Sequence, residues 1–127
     1  MKINTHKKIN KELCGKPILA DDDCSKVEMY ASDEMAVDET GLVHGGFIFG
    51  LADHAAMIAV NHPNVVLGAS EVKFLKPVKI GDTVLAEAIV EEIKGKKSVV
   101  KVIVTRGSDQ VFSGEFTCFI LERHVLK

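Results

Sequence analysis

The chain has 127 residues and a formal net charge of −2, with a pI near 6.2. That is one domain with room for one sizeable core, and it gives no electrostatic case for nucleic acid as a partner. Three cysteines at irregular spacing, Cys14, Cys24 and Cys118, make neither a disulfide framework nor a CxxC pair, and no ligand-spaced His/Cys cluster points to a metal.

The opening stretch MKINTHKKINKEL is too polar for a signal peptide, and the longest apolar run is too short to cross a bilayer, so a soluble, cytoplasmic domain over 1–127 is expected. Asn4 to Leu13 reads as a short helix, with Asn4 or Thr5 as its cap and Gly15 just past its end. Pro17 to Leu19 reads as a short strand entering a turn at Asp21-Asp22-Asp23. Ser25 to Ala36 then carries apolar Val27, Met29 and Ala31 at alternate positions, the pattern of a half-buried strand. Asp38-Glu39-Thr40-Gly41 is a polar connection.

From Phe47 to Val60 the chain is apolar on every side except at Asp53 and His54, which predicts a helix buried all round. His44-Gly45-Gly46 stands just ahead of it, where the first free N–H groups and the positive end of the dipole form an acceptor for a carbonyl oxygen or an anion. After Asn61-His62-Pro63-Asn64, which ends the helix, strands are predicted at Val65 to Leu75, Thr83 to Ile93, Ser98 to Thr105 and Val111 to Leu121. The joining segments are PVKIGD (Pro77 to Asp82), Lys94-Gly95-Lys96 and Arg106 to Gln110. Connections this short imply antiparallel neighbours. An antiparallel sheet with one apolar face and a helix that is apolar all round satisfy each other if the sheet curls around the helix.

Asp53 is the residue that this packing leaves unexplained. An unpaired carboxylate in an apolar helix costs several kcal/mol unless it is protonated, partnered or functional. A rise of about 1.5 Å per residue puts the helix start and Asp53 roughly 13 Å apart, too far to act on one small group. If the two share a site, they come from different subunits of an isologous dimer with two equivalent sites. The open edge strands of a single curled sheet favour the same association.

The residues HGGFIFGLADHAAMIAVN followed by VKFLKPVKIGDTV resemble the hotdog-fold acyl-CoA thioesterases, in the branch of the phenylacetate-pathway thioesterase. The resemblance runs from about Asp38 to Leu121. It implies an α+β hotdog fold, a curved antiparallel sheet of about six strands wrapped around one long buried helix. It further implies a homodimer, often paired into a dimer of dimers, with the site at the dimer interface and acyl-CoA as substrate, and it calls for no cofactor and no metal. Matched residue by residue, Gly45 would present its N–H to the thioester carbonyl, Gly46 would allow close approach, and His44 would fix the turn and the bound thioester. Asp53 would be the general base or the nucleophile. Relatives carry an Asn where this chain has Asp38. By that resemblance Asp38 points elsewhere, is kept protonated, or yields the polar role to Thr40, and Ser70 is the nearest candidate for a hydroxyl that positions water.

Two other functions fit the same fold. A binding or sensing module for acyl-CoA or an acyl carrier keeps the site without the chemistry. A hydratase or dehydratase needs an Asp and a His facing one substrate, whereas adjacent helical residues such as Asp53 and His54 point about 100° apart. His54 is expected to be structural and Cys118 a small buried hydrophobe, while Phe47, Phe49 and Met57 are expected in the core, or one of them on the acyl pocket. Lys73, Lys76, Lys79, Lys96, Lys97 and Arg106 are expected on the surface, where any pair of them would suit phosphates.

Overall fold

The computed structural model describes Met1–Lys127 throughout. The elements in chain order are a short helix α1 (Lys11–Cys14), strands β1 (Lys16–Asp21) and β2 (Cys24–Tyr30), the long helix α2 (Gly45–Val60), and strands β3 (Val65–Phe74), β4 (Thr83–Lys94), β5 (Lys97–Arg106) and β6 (Asp109–Ile120). The six strands form one antiparallel sheet in the order β1-β2-β4-β5-β6-β3. This is the hotdog arrangement, with the sheet curled around α2.

Alternation builds the contact between sheet and helix. In β4 Val84, Ala86 and Ala88 are buried, and in β5 Val100, Val102 and Val104. On the helix Ala52, Ala55, Ala56 and Ala59 are buried with them, and their single methyl groups let the strands come close. One polar tie crosses this apolar interface. The buried Ser25 hydroxyl of β2 donates to the Ala55 carbonyl of α2 at 2.6 Å, worth about 1 kcal/mol and expensive to leave unpaired.

Four expectations from the sequence are corrected. The helix placed at Asn4 to Leu13 is a single turn, Lys11–Cys14, capped by Asn10, whose side chain accepts from the Glu12 and Leu13 amides. His6 has a left-handed φ of 53°, which no helix can contain. The strand placed at Ser25 to Ala36 ends at Tyr30: Ala31 still donates across to the Asp82 carbonyl, and the 3-10 turn at Asp33–Met35 then takes the chain out of the sheet. The long helix begins at Gly45, so the two glycines expected just ahead of it are its first two residues. Nor is α2 buried all round within one chain: Phe47, Phe49, Gly50 and Asp53 are only half-buried.

The two ends of α2 are treated differently. At the C-terminal end Asn61 adopts the left-handed conformation and its amide closes on the Met57 carbonyl at 2.8 Å. Its side chain accepts from the Asn4 amide at 2.7 Å and donates to the Lys2 carbonyl at 2.8 Å. Up to Asn10 the segment that was expected to be helical is instead an irregular arm, with a turn at His6 to Ile9, laid against α2. It is held further by the His6 ring stacked over His54 at 6.2 Å and by His54 Nδ1 on the Cys14 carbonyl at 3.0 Å.

Candidate active site

At its N-terminal end α2 is held from behind and left open in front. The His44 amide donates to the Met35 carbonyl at 2.9 Å and the Val43 amide to Val78 at 2.8 Å, while the Ile80 amide donates to Gly41 at 2.8 Å. The PVKIGD turn is therefore part of the mounting of the helix start, which is the physical reason for the two motifs to occur together. Gly81 supplies the φ of 92° that the turn requires. The Asp82 carboxylate closes it by accepting from the Lys79 amide at 2.9 Å and from Arg106 at 3.4 Å. Arg106 also donates to the Pro77 carbonyl at 2.6 Å.

The mounted residues present free donors. His44 is the N-cap residue, yet its side chain makes no capping bond. The Phe47 amide turns back to the His44 carbonyl at 3.0 Å, whereas neither the Gly45 nor the Gly46 amide has a backbone partner. Two unpaired N–H groups at the positive end of a 16-residue helix are a preformed place for a negative oxygen. The glycines give access. A side chain begun at Gly46 would lie 3.0 Å from His44 Nε2, and one begun at Gly45 would lie 3.2 Å from the Phe74 ring. The exposed His44 ring thus folds over the first turn and stands edge-on to Phe47 at 6.2 Å.

Asp53 lies farther along the same helix. Its Oδ1 is buried and has no hydrogen-bond partner. Burial pushes the carboxyl group up to about 6, because the ion loses water without gaining a donor or a cation in exchange. Its charge is felt by the thiols on either side, where burial first and Asp53 second raise both Cys14 and Cys118, the latter to about 12. Gly50, one turn ahead of Asp53, has nothing within 4 Å of where a side chain would begin. At Gly50 the helix is not covered by its own chain.

The remaining sequence candidates sit elsewhere. Asp38 and Thr40 bind each other at an exposed loop tip, where Asp38 Oδ1 accepts from the Thr40 amide at 2.9 Å and from its hydroxyl at 2.6 Å. The Thr40 bonds hold the Asp38 carboxyl below its ordinary range, so it is ionised and locally satisfied. Ser70 is exposed on β3 opposite Phe116, on the inner side of the sheet together with Val72 and Phe74. Strand β3 pairs only with β6, so its other edge is open. Cys118 is buried, as expected, and so is His54. Sequence reasoning missed the arm over α2 and the contact of Phe74 with Gly45. Phe74 is visible in the sequence as the aromatic of the FLKP motif, but nothing local says where its ring goes.

A curled sheet around one helix, with free amides at the helix start and a lone carboxylate on its flank, is the arrangement found here, and comparison with known proteins gives it a family. The sequence profile of the thioesterase superfamily matches residues 40–113. The chain belongs to that superfamily. A solved structure from Pyrococcus horikoshii is 54% identical with a TM-score of 0.99, covering 100% of this chain and 98% of that one. The PaaI protein from the phenylacetic acid degradation operon of E. coli is 25% identical, with a TM-score of 0.80 over 88% of this chain and 83% of that one. A Streptococcus mutans protein bound to acetyl CoA is 25% identical, with a TM-score of 0.78 over 87% and 90%.

Among curated proteins, the methylthioribose-1-phosphate isomerase of Aquifex aeolicus is 52% identical over 123 residues, 96% of this chain and 27% of that protein. The transcription factor FapR of Caldanaerobacter subterraneus is 31% identical over 96 residues, 76% of this chain and 48% of that protein. The chain thus spans about a quarter and about half of the lengths of these two relatives.

Proposed function

We propose that this protein hydrolyses acyl-CoA thioesters in a homodimer, with Asp53 of one protomer acting on a carbonyl held by the Gly45 amide of the other. The observation that carries the reading is the buried, unpartnered Asp53 Oδ1 on the same helix whose first two amides are free. Each is the half of a site that the other lacks. Gly45 and Asp53 are separated by about 12 Å of helix, so the halves meet only across an interface. The open edge of β3, with Ser70, Val72 and Phe74 facing inward beside it, is where a second sheet would join. The acetyl CoA bound by the Streptococcus mutans relative supports the choice of ligand.

The chemistry follows from where charge develops. Attack on the thioester carbonyl places a negative charge on its oxygen, and fixed N–H donors stabilise that state more than the ground state. As general base, Asp53 takes a proton from water, whose oxygen bonds to the carbonyl carbon. Collapse breaks the C–S bond, and the departing thiolate takes up the proton to leave CoA and the acid. As nucleophile, the Asp53 carboxylate itself bonds to that carbon and expels the thiolate, and water then cleaves the anhydride. Ionised Asp38 lies in its own turn with Thr40 and is kept from the developing oxyanion.

A second reading is favoured by one observation. A relative named as a transcription factor is 31% identical over 76% of this chain, which fits a module that binds acyl-CoA without turnover. The two separate in one experiment, in which free thiol release is followed with acyl-CoAs of graded length for the wild type and Asp53→Asn. Turnover lost by about 10²–10⁴-fold with ligand binding retained is the hydrolase result. Tight binding without thiol release by the wild type is the sensor result.

A further inference from the structure

We infer that Phe74 is a specificity-determining residue, its ring bounding the cleft that takes the hydrocarbon side of the substrate next to the Gly45 amide. The inference rests on the thioester reading above and adds the residue that selects among acyl groups. The Phe74 ring lies on the helix start, with Cε1 at 3.2 Å and Cδ1 and Cζ at 3.6 Å from where a Gly45 side chain would begin. It is propped from behind by Phe112, edge-on at 5.1 Å and 77°. Yet Phe74 remains 56% exposed and its neighbour Leu75 46%.

Within a single chain a ring so placed leaves apolar area uncovered, which burial by substrate or by the second protomer at the open β3 edge would reward at about 25 cal/mol per Å². The uncovered area is not scattered. Phe74 and Leu75 continue into a cleft of ≈ 330 Å³ whose other apolar walls are Val43, Ile48, Val78 and Val111, with Gly45 itself on the lining. The one charged side chain at the cleft, Lys76, has its ammonium on Asp109 at 3.1 Å.

The walls decide which side of the thioester lies here. A pantetheine arm carries amides that would face hydrocarbon and lose their hydrogen bonds, whereas an alkyl or aryl chain loses nothing. The carbonyl on the Gly45 amide therefore directs its acyl substituent toward Phe74. The ring edge sets how long or broad that substituent can be.

The test is a ratio. kcat/KM is measured for acetyl-, butyryl-, hexanoyl-, octanoyl- and phenylacetyl-CoA with the wild type, Phe74→Ala, Phe74→Leu and Phe74→Trp, and light scattering and thermal melting check assembly and folding. Phe74→Ala is expected to raise the octanoyl-to-acetyl ratio by about tenfold or more, the scale on which a hydrophobic pocket resolves added methylenes. Phe74→Leu should stay within about threefold of the wild type, and Phe74→Trp should lower the ratio. If Phe74→Ala does not assemble, the Phe74→Trp ratio decides.

Wild-type turnover with an unchanged ratio in the assembled variants overturns the role of Phe74 and leaves the hydrolase standing. If the wild type releases no thiol, the ratio is read as Kd by calorimetry with the same acyl-CoAs. A shift there supports the cleft while the hydrolase reading fails, and absence of binding by every acyl-CoA overturns both.

Discussion

The two ends of α2 are built from the same kind of residue, small and flexible in backbone, and are used in opposite ways. At the C-terminal end Asn61 spends its left-handed backbone, its amide and both ends of its side chain on closing the helix and clamping the arm at Lys2 and Asn4. At the N-terminal end no side chain caps the helix, and the Gly45 and Gly46 amides are left without partners although the segment behind them is tied down by Met35, Val78 and Gly41. Polar groups that are satisfied hold the fold. Polar groups held rigid but unsatisfied are the ones that the proposed reaction would use.

The sharpest way to break this contrast is to delete one donor without disturbing the helix. Proline is well suited to the first helical position, and His44 has the extended conformation (φ −61°, ψ 131°) that a following proline requires. Gly45→Pro should therefore fold, with the half-exposed Phe74 ring yielding by a few tenths of an ångström, and should lose about 10²–10³-fold in kcat. A variant that folds and keeps wild-type kcat would mean that the free amide is not used.

Next in size is the pH response. In the proposed reaction Asp53 acts as an ion, so kcat/KM should fall about tenfold per pH unit below about 6, the value to which burial pushes its carboxyl. Stability runs the other way. The folded chain holds this proton more tightly than the unfolded one, so Asp53 costs stability as pH rises from about 4 through 6. Asp53→Asn should be more stable than the wild type at pH 8 by about 1–3 kcal/mol, with the gain gone by about pH 4 in denaturant titrations.

At the other end of the helix, Asn61→Ala removes two hydrogen bonds and puts a side chain poorly suited to φ 53° into that conformation. The expected loss is about 1–3 kcal/mol in denaturant midpoint, with kcat changed by less than about twofold. A large fall in kcat at unchanged stability would remove the distinction between the two ends. The smallest effect belongs to Asp38→Asn. Asp38 is occupied by Thr40 at an exposed tip, and kcat should change by less than about threefold, a surface substitution away from the chemistry.

Much of this was legible in the sequence because periodicity reports what a side chain faces. The strict alternation of Val84, Ala86 and Ala88 against Leu85, Glu87 and Ile89 placed β4 correctly, and the apolar run after Gly46 announced a wrapped helix. The carboxylate of Asp53 was conspicuous for the same reason, being polar where the pattern forbids it. What escaped was decided by contacts distant in sequence. Asn4 to Leu13 had helical spacing, but Asn61 and His54 hold Asn4 and a left-handed His6 in a non-helical form. The strand after Ser25 was cut short by the 3-10 turn at Asp33–Met35, which is tied to the helix start by the bond from the His44 amide to the Met35 carbonyl. Phe74 reaches Gly45 only because β3 returns past the helix start, which no local pattern encodes.

The claim on which the rest depends is that each site is assembled from two protomers, and mixed dimers test it directly. Gly45→Pro and Asp53→Asn chains are purified separately, each inactive alone, then unfolded together and refolded as a mixture. A dimer containing one chain of each kind retains one site with an intact helix start and an intact Asp53, so random pairing should restore about a quarter of wild-type thiol release. A mixture no more active than its two parents, with mixed dimers shown to be present by mass, would contradict a shared site.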